Sequence, residues 1–149
     1  MERTIKIYIV THKEDKTIKL YEYFLRKYWP TADVTVLGHT SPTYKSNFIK
    51  YESMGPSLGS NTVNRQLYEY FSALDDAQFI FAVDDMPVLK SVDTTIIDYT
   101  EELLKTNSTV GRVGLTSDNS CRGHVKVSDI DDTQSVGLIE NHSTAGYKL

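Results

Sequence analysis

Short apolar runs alternate along this chain with longer stretches of helical periodicity, and that alternation narrows the fold to an α/β sheet. Ile5-Lys6-Ile7-Tyr8-Ile9-Val10 reads as a first strand. Residues 16–28 read as a helix with Ile18, Tyr21, Leu25 and Tyr28 on one face and Leu20 and Phe24 beside them, ended by Trp29-Pro30. Residues 33–37 give a second strand, closed by Gly38-His39-Thr40-Ser41-Pro42. Residues 43–60 are polar, rich in Ser, Tyr, Gly and Pro, and read as a long loop of the kind that often binds or covers ligands. A second helix spans about residues 61–74, with Val63, Leu67, Tyr70, Phe71 and Leu74 as its apolar face and Ser60 or Asn61 as its N-cap.

Phe79-Ile80-Phe81-Ala82-Val83 is the next strand, and Asp84-Asp85 follow it directly before Met86-Pro87. Ser91 or Asp93 caps a third helix that ends near Lys105, with Val92, Ile96, Tyr99 and Leu103 facing inward. Val110-Gly111-Arg112-Val113-Gly114-Leu115 reads as a fourth strand. Beyond Thr116 the patterns weaken to three short strands, at 124–130, 136–139 and 145–149, in an irregular C-terminal section. Strands alternating with helices mean right-handed crossovers and a mostly parallel sheet flanked by helices, Rossmann-like in its plan. The 149 residues suit one domain with a real core, residues 1–115 forming its main part.

Composition excludes some functions. A net charge of -4 argues against general nucleic-acid binding, which favours a basic face. Cys121 is the single cysteine, so no intrachain disulfide forms, which fits a reducing compartment. Met1-Glu2-Arg3-Thr4 runs straight into a strand too short and too charged for a signal peptide or a membrane span, so a cytoplasmic protein is expected. No P-loop, no G-x-G-x-x-G after the first strand and no G-x-S-x-G elbow is present.

The chemistry concentrates at Asp84-Asp85. Packing needs favour apolar or neutral residues where a buried strand leaves the core, whereas paired carboxylates there suit a divalent cation, Mn or Mg, and through it a diphosphate. The bland alternative is a solvated turn before proline. In a parallel sheet Thr11 and His12, after the first strand, share a crevice with the acidic pair. Thr11 is the better ligand contact; His12 and Lys13 also read as an ordinary polar loop. Gly59 to Arg65 opens the second helix, where backbone N–H groups, Asn64 and Arg65 can meet an anion or simply cap the helix and face solvent. Asp118, Asp129, Asp131, Asp132 and Glu140 are the later acids from which a general base can come, and none stands out. His124, His142 and Cys121 lack partners at recognisable spacing. Most of the 10 tyrosines lie at helical spacing and read as core, with Tyr44 and Tyr51 the exceptions as sugar platforms.

Taken in order, Val10-Thr11-His12-Lys13-Glu14, Gly59 to Asn64, Phe81-Ala82-Val83-Asp84-Asp85 and Val110 to Leu115 resemble a nucleotide-diphospho-sugar glycosyltransferase of the GT-A type, of the bacterial and viral subset that makes surface polysaccharide. Asp84-Asp85-Met86 stands where that family usually has Asp-x-Asp. The resemblance implies a GT-A fold and a nucleotide-sugar donor contacted by Thr11, His12, Asn64 and Arg65. It also implies a Mn or Mg ion on Asp84 and Asp85, and a glycan or other hydroxyl acceptor. Residues 116–149 would then begin an acceptor-side region, and the chain looks like a truncated or minimal version. The alternatives are a non-catalytic nucleotide- or glycan-binding or interaction domain, and another metal-dependent phosphate enzyme such as a nucleotidyltransferase or phosphohydrolase.

Overall fold

The computed structural model describes residues 5–11, 15–39, 43–75, 78–108, 110, 113, 115, 124–129 and 137–141, the last two stretches as backbone only. They fall in two compact units, residues 1–106 and 107–149.

The first unit is a four-stranded parallel sheet with three helices, the α/β arrangement that the alternation predicts. Its strands are β1 (Lys6–Val10), β2 (Asp33–Gly38), β3 (Ile49–Ser53) and β4 (Phe79–Val83), in the spatial order β3-β2-β1-β4. Helix α1 (Asp15–Tyr28) links β1 to β2, and α2 (Val63–Ser72), preceded by a 3-10 turn at Ser60–Thr62, links β3 to β4. Helix α3 (Thr94–Thr106) follows β4.

The pleat divides the side chains between two layers. On one face Ile7, Ile9, Val34, Val36 and Ile49 join Ile18, Tyr21 and Leu25 of α1 and Ile97 of α3 in one apolar cluster, with Ile80 and Ala82 packed against it. On the other face Tyr8 meets Tyr70 and Phe71 of α2 and Phe79 of β4 edge-on, and Phe71 stacks on Phe79 at 4.6 Å. Both layers are anchored at β1, which like β2 has a neighbour on each side.

Strand β3 corrects the reading of residues 43–60 as a loop. Ile49-Lys50-Tyr51-Glu52-Ser53 pairs in parallel with β2, from Val34↔Ile49 to Gly38↔Ser53. It is an outer strand with one face on the core: Ile49 is buried and Tyr51 half-buried, while Lys50 and Glu52 are exposed. Its alternation is therefore weak, and polar composition masked it. The β2–β3 crossover, residues 39–48, is short for a parallel connection, and its described residues contain no helix. A polar cluster centred on the buried Glu22 fixes it instead. Glu22 of α1 accepts from the Tyr44 hydroxyl at 2.6 Å and from Arg26 Nε at 2.7 Å, and Arg26 donates onward to Asn47 at 2.6 Å. Burial alone would raise the Glu22 pKa. The hydrogen bonds from Tyr44, Arg26 and Ser46 outweigh it and hold the carboxyl below its ordinary range.

Two helix readings also change. Helix α3 turns Ile97 and Thr100 inward, and leaves Ile96 and Tyr99, expected on its inner face, exposed. The competing stripes differ by one residue, and docking on the α1 cluster selects the one holding Ile97. Asp93 is its cap, accepting from Thr95 N at 3.0 Å. Helix α2 is preceded by Thr62 rather than Ser60 or Asn61, with no side-chain cap bond, and Thr62 Oγ1 donates back to Gly59 O at 2.8 Å.

In the second unit β5 (His124–Asp129) pairs antiparallel with β6 (Gly137–Asn141), with an irregularity between Lys126 and Ser128. Two of the three short strands expected there are thus present. Residues 145–149 lie outside the described residues, as do Asp118, Cys121, Asp131, Asp132 and His142. Val110, Val113 and Leu115 belong to no strand, and the residues between them are outside the description.

Candidate functional site

In this sheet β1, β2 and β3 succeed one another toward one edge, and α2 then carries the chain back so that β4 lies on the other side of β1. The strand order reverses between β1 and β4. The carboxyl ends of strands at such a reversal open into the crevice where α/β proteins bind ligands, and 3-2-1-4 is the first part of the order found in doubly wound nucleotide-binding sheets.

Thr11 and Asp84 occupy those two strand ends. The ladder continues one residue beyond each strand, with Thr11 N donating to Leu37 O at 2.8 Å and Asp84 N to Val10 O at 3.2 Å. Across the reversal the Thr11 hydroxyl donates to Asp84 Oδ2 at 2.6 Å. Both residues are buried, Asp84 to 6 % exposure. A hydroxyl-to-carboxylate bond of this length is charge-assisted, and it fixes the Asp84 side chain in one orientation. Asp85, next along, is exposed, and Met86 N closes the turn on Val83 O at 3.2 Å. One carboxylate is thus oriented within the protein and its neighbour is presented to solvent.

Tyr21 is a member of this neighbourhood that periodicity could not distinguish from the core. Its hydroxyl donates to Met86 O at 2.8 Å, tying α1 to the acidic turn. Burial, and then the charges of Asp84 and Asp85, push its pKa up to about 12. Gln66 of α2, at 8 % exposure, ties that helix to the segment after β3, its amide nitrogen donating to Met54 O at 3.3 Å and Pro56 O at 3.0 Å.

The remaining expected residues are placed differently. His12 lies outside the described residues, as does Lys13. Asn64 and Arg65 are exposed on the first turn of α2, and Arg65 Nε pairs with Glu69 at 2.8 Å along the same helix. Tyr44 and Tyr51 are wall residues between α1 and β3. Among the described residues no group of three or more His, Cys, Asp or Glu side chains converges as a metal cage, and no helix is long and apolar enough to cross a membrane.

A scan against protein-family models found no match, and neither did searches of curated proteins and of solved structures.

Proposed function

We propose that the β1/β4 crevice binds a nucleotide-diphospho-sugar and that the chain is a metal-assisted glycosyltransferase of the GT-A type, passing the sugar to a glycan or other hydroxyl acceptor. The observation that carries this reading is the Thr11–Asp84 bond at the point of strand-order reversal, with Asp85 exposed beside it.

The donor set fits Mg or Mn. Such ions are commonly held by one or two carboxylates, with substrate phosphates and water filling the other positions, so a cage of three protein ligands is not required. Asp85, and Asp84 behind it, would hold the ion, which when bound neutralises charge developing on the diphosphate leaving group. Thr11 keeps Asp84 from swinging out of the crevice. Arg65 can turn to a phosphate at small cost, because an exposed pair such as Arg65–Glu69 is worth only about 0–1 kcal/mol. Asn64 stands beside it on the helix turn nearest the anion-favouring N-terminus.

The test is calorimetric titration of the full chain with UDP-, GDP-, ADP- and dTDP-linked sugars, with and without Mn, followed by sugar release assayed with and without acceptor. Metal-dependent binding that Asp85→Ala abolishes, with transfer to an acceptor, is the expected result. Binding without turnover would leave a non-catalytic module, and release without an acceptor a phosphohydrolase. No binding by the folded chain would overturn the reading.

A further inference from the structure

An open groove of about 530 Å³ lies between α1, the outer strand β3 and residues 44–46. Small-molecule sites have volumes of roughly 300–1,000 Å³, with mostly apolar walls and a few polar groups. Here the half-buried Tyr44 and Tyr51 supply aromatic walls, over a floor of the core residues Ile18, Val36 and Ile49. The Tyr44 ring is held rigidly, its hydroxyl on Glu22 and the Lys19 ammonium 5.2 Å from its centre. The rim is basic in a chain of net charge -4: Lys45 and Lys50 both line it, Lys45 exposed and Lys50 in a solvent-exposed pair with Asp33 at 3.0 Å.

We propose that this groove is a second ligand site, separate from the crevice, taking a planar ring compound that carries a negative group. The ring lies against the two tyrosines, above Ile18 and Ile49, where burial of its apolar area drives binding. The negative group stays at the rim with Lys45 and Lys50, which orient the ligand and exclude cationic rings. None of the crevice residues takes part, so this site stands or falls independently of the glycosyltransferase reading.

The experiment is a methyl NMR titration of the full chain with 1-naphthyl phosphate as probe, and with neutral 1-naphthol as its control. Saturable shifts at Ile18, Val36 and Ile49 are expected, with 1-naphthol binding more weakly. In Lys45→Ala/Lys50→Ala, whose altered side chains are exposed, affinity for 1-naphthyl phosphate falls about tenfold. Asp85→Ala leaves that affinity unchanged. Absence of saturable shifts at these methyls, equal affinity for 1-naphthol, or undiminished binding in the double variant would each overturn the proposal.

Discussion

Asp84 is the residue on which most depends, and the hydroxyl of Thr11 is what makes its burial tolerable. Thr11→Val keeps the shape of the side chain and removes the donor, leaving a buried carboxylate short of its partner. Such a loss costs about 1–3 kcal/mol, measurable by urea denaturation, whereas Thr11→Ser, which keeps the hydroxyl, should cost less. Two further residues give the stability a pH dependence of calculable sign. Glu22 has a folded pKa below its ordinary value of 4.5, so the unfolded chain binds more protons in acid. Its contribution is present above pH 4.5 and is lost as pH falls through the folded value; Glu22→Gln should flatten that acid limb. Tyr21 has the opposite sense: its folded pKa is about 12 against an ordinary 10.0. Between these values the unfolded chain releases the phenolic proton while the folded one retains it, so stability falls by about 2 kcal/mol from pH 10 to 12. Thermal melts of Tyr21→Phe should lack that part of the alkaline fall.

At the level of elements, what was legible in the sequence followed the strength of the local pattern. Strand β4 was readable to the residue, because Phe79–Val83 is apolar on both faces and is bounded by Asp84-Asp85. Helix α1 was readable for the same kind of reason, its stripe of Ile18, Tyr21 and Leu25 being buried as spaced. Strand β3 was hidden because only Ile49 and Tyr51 face the core, and two residues do not make a period. Helix α3 carries two candidate stripes, and only contact with the rest of the core decides between Ile96 and Ile97. Ile97 is 7 % exposed and Ile96 41 %. Ile97→Ala should therefore cost about 2–4 kcal/mol by chemical denaturation, and Ile96→Ala well under half of that. Of the candidate site, Thr11, Asp84 and Asp85 were legible because strand ends are legible. Tyr21 was not, since a buried polar tip on an apolar helix face looks like any other core position until its partner, here the Met86 carbonyl, is known.

The first unit as a whole is organised by the reversal of strand order. Two crossovers carry the chain outward from β1 to β3, the second, with no helix among its described residues, fastened to Glu22 and Arg26 of α1 through Tyr44 and Asn47, and α2 brings it back beneath the sheet to β4. That path sets Thr11 beside Asp84, although 73 residues separate them along the chain. It also opens the space between α1 and β3 in which a ring compound can sit. The central claim is that the crevice so formed holds a divalent ion together with a nucleotide diphosphate. Paramagnetic line broadening by Mn(II) in the presence of UDP or GDP tests it most directly. The account predicts selective loss of the backbone signals of Thr11, Asp84 and Asp85 at substoichiometric metal, dependent on the nucleotide and abolished in Asp85→Ala. Uniform broadening over the acidic surface, or selective broadening that persists in Asp85→Ala, would contradict it.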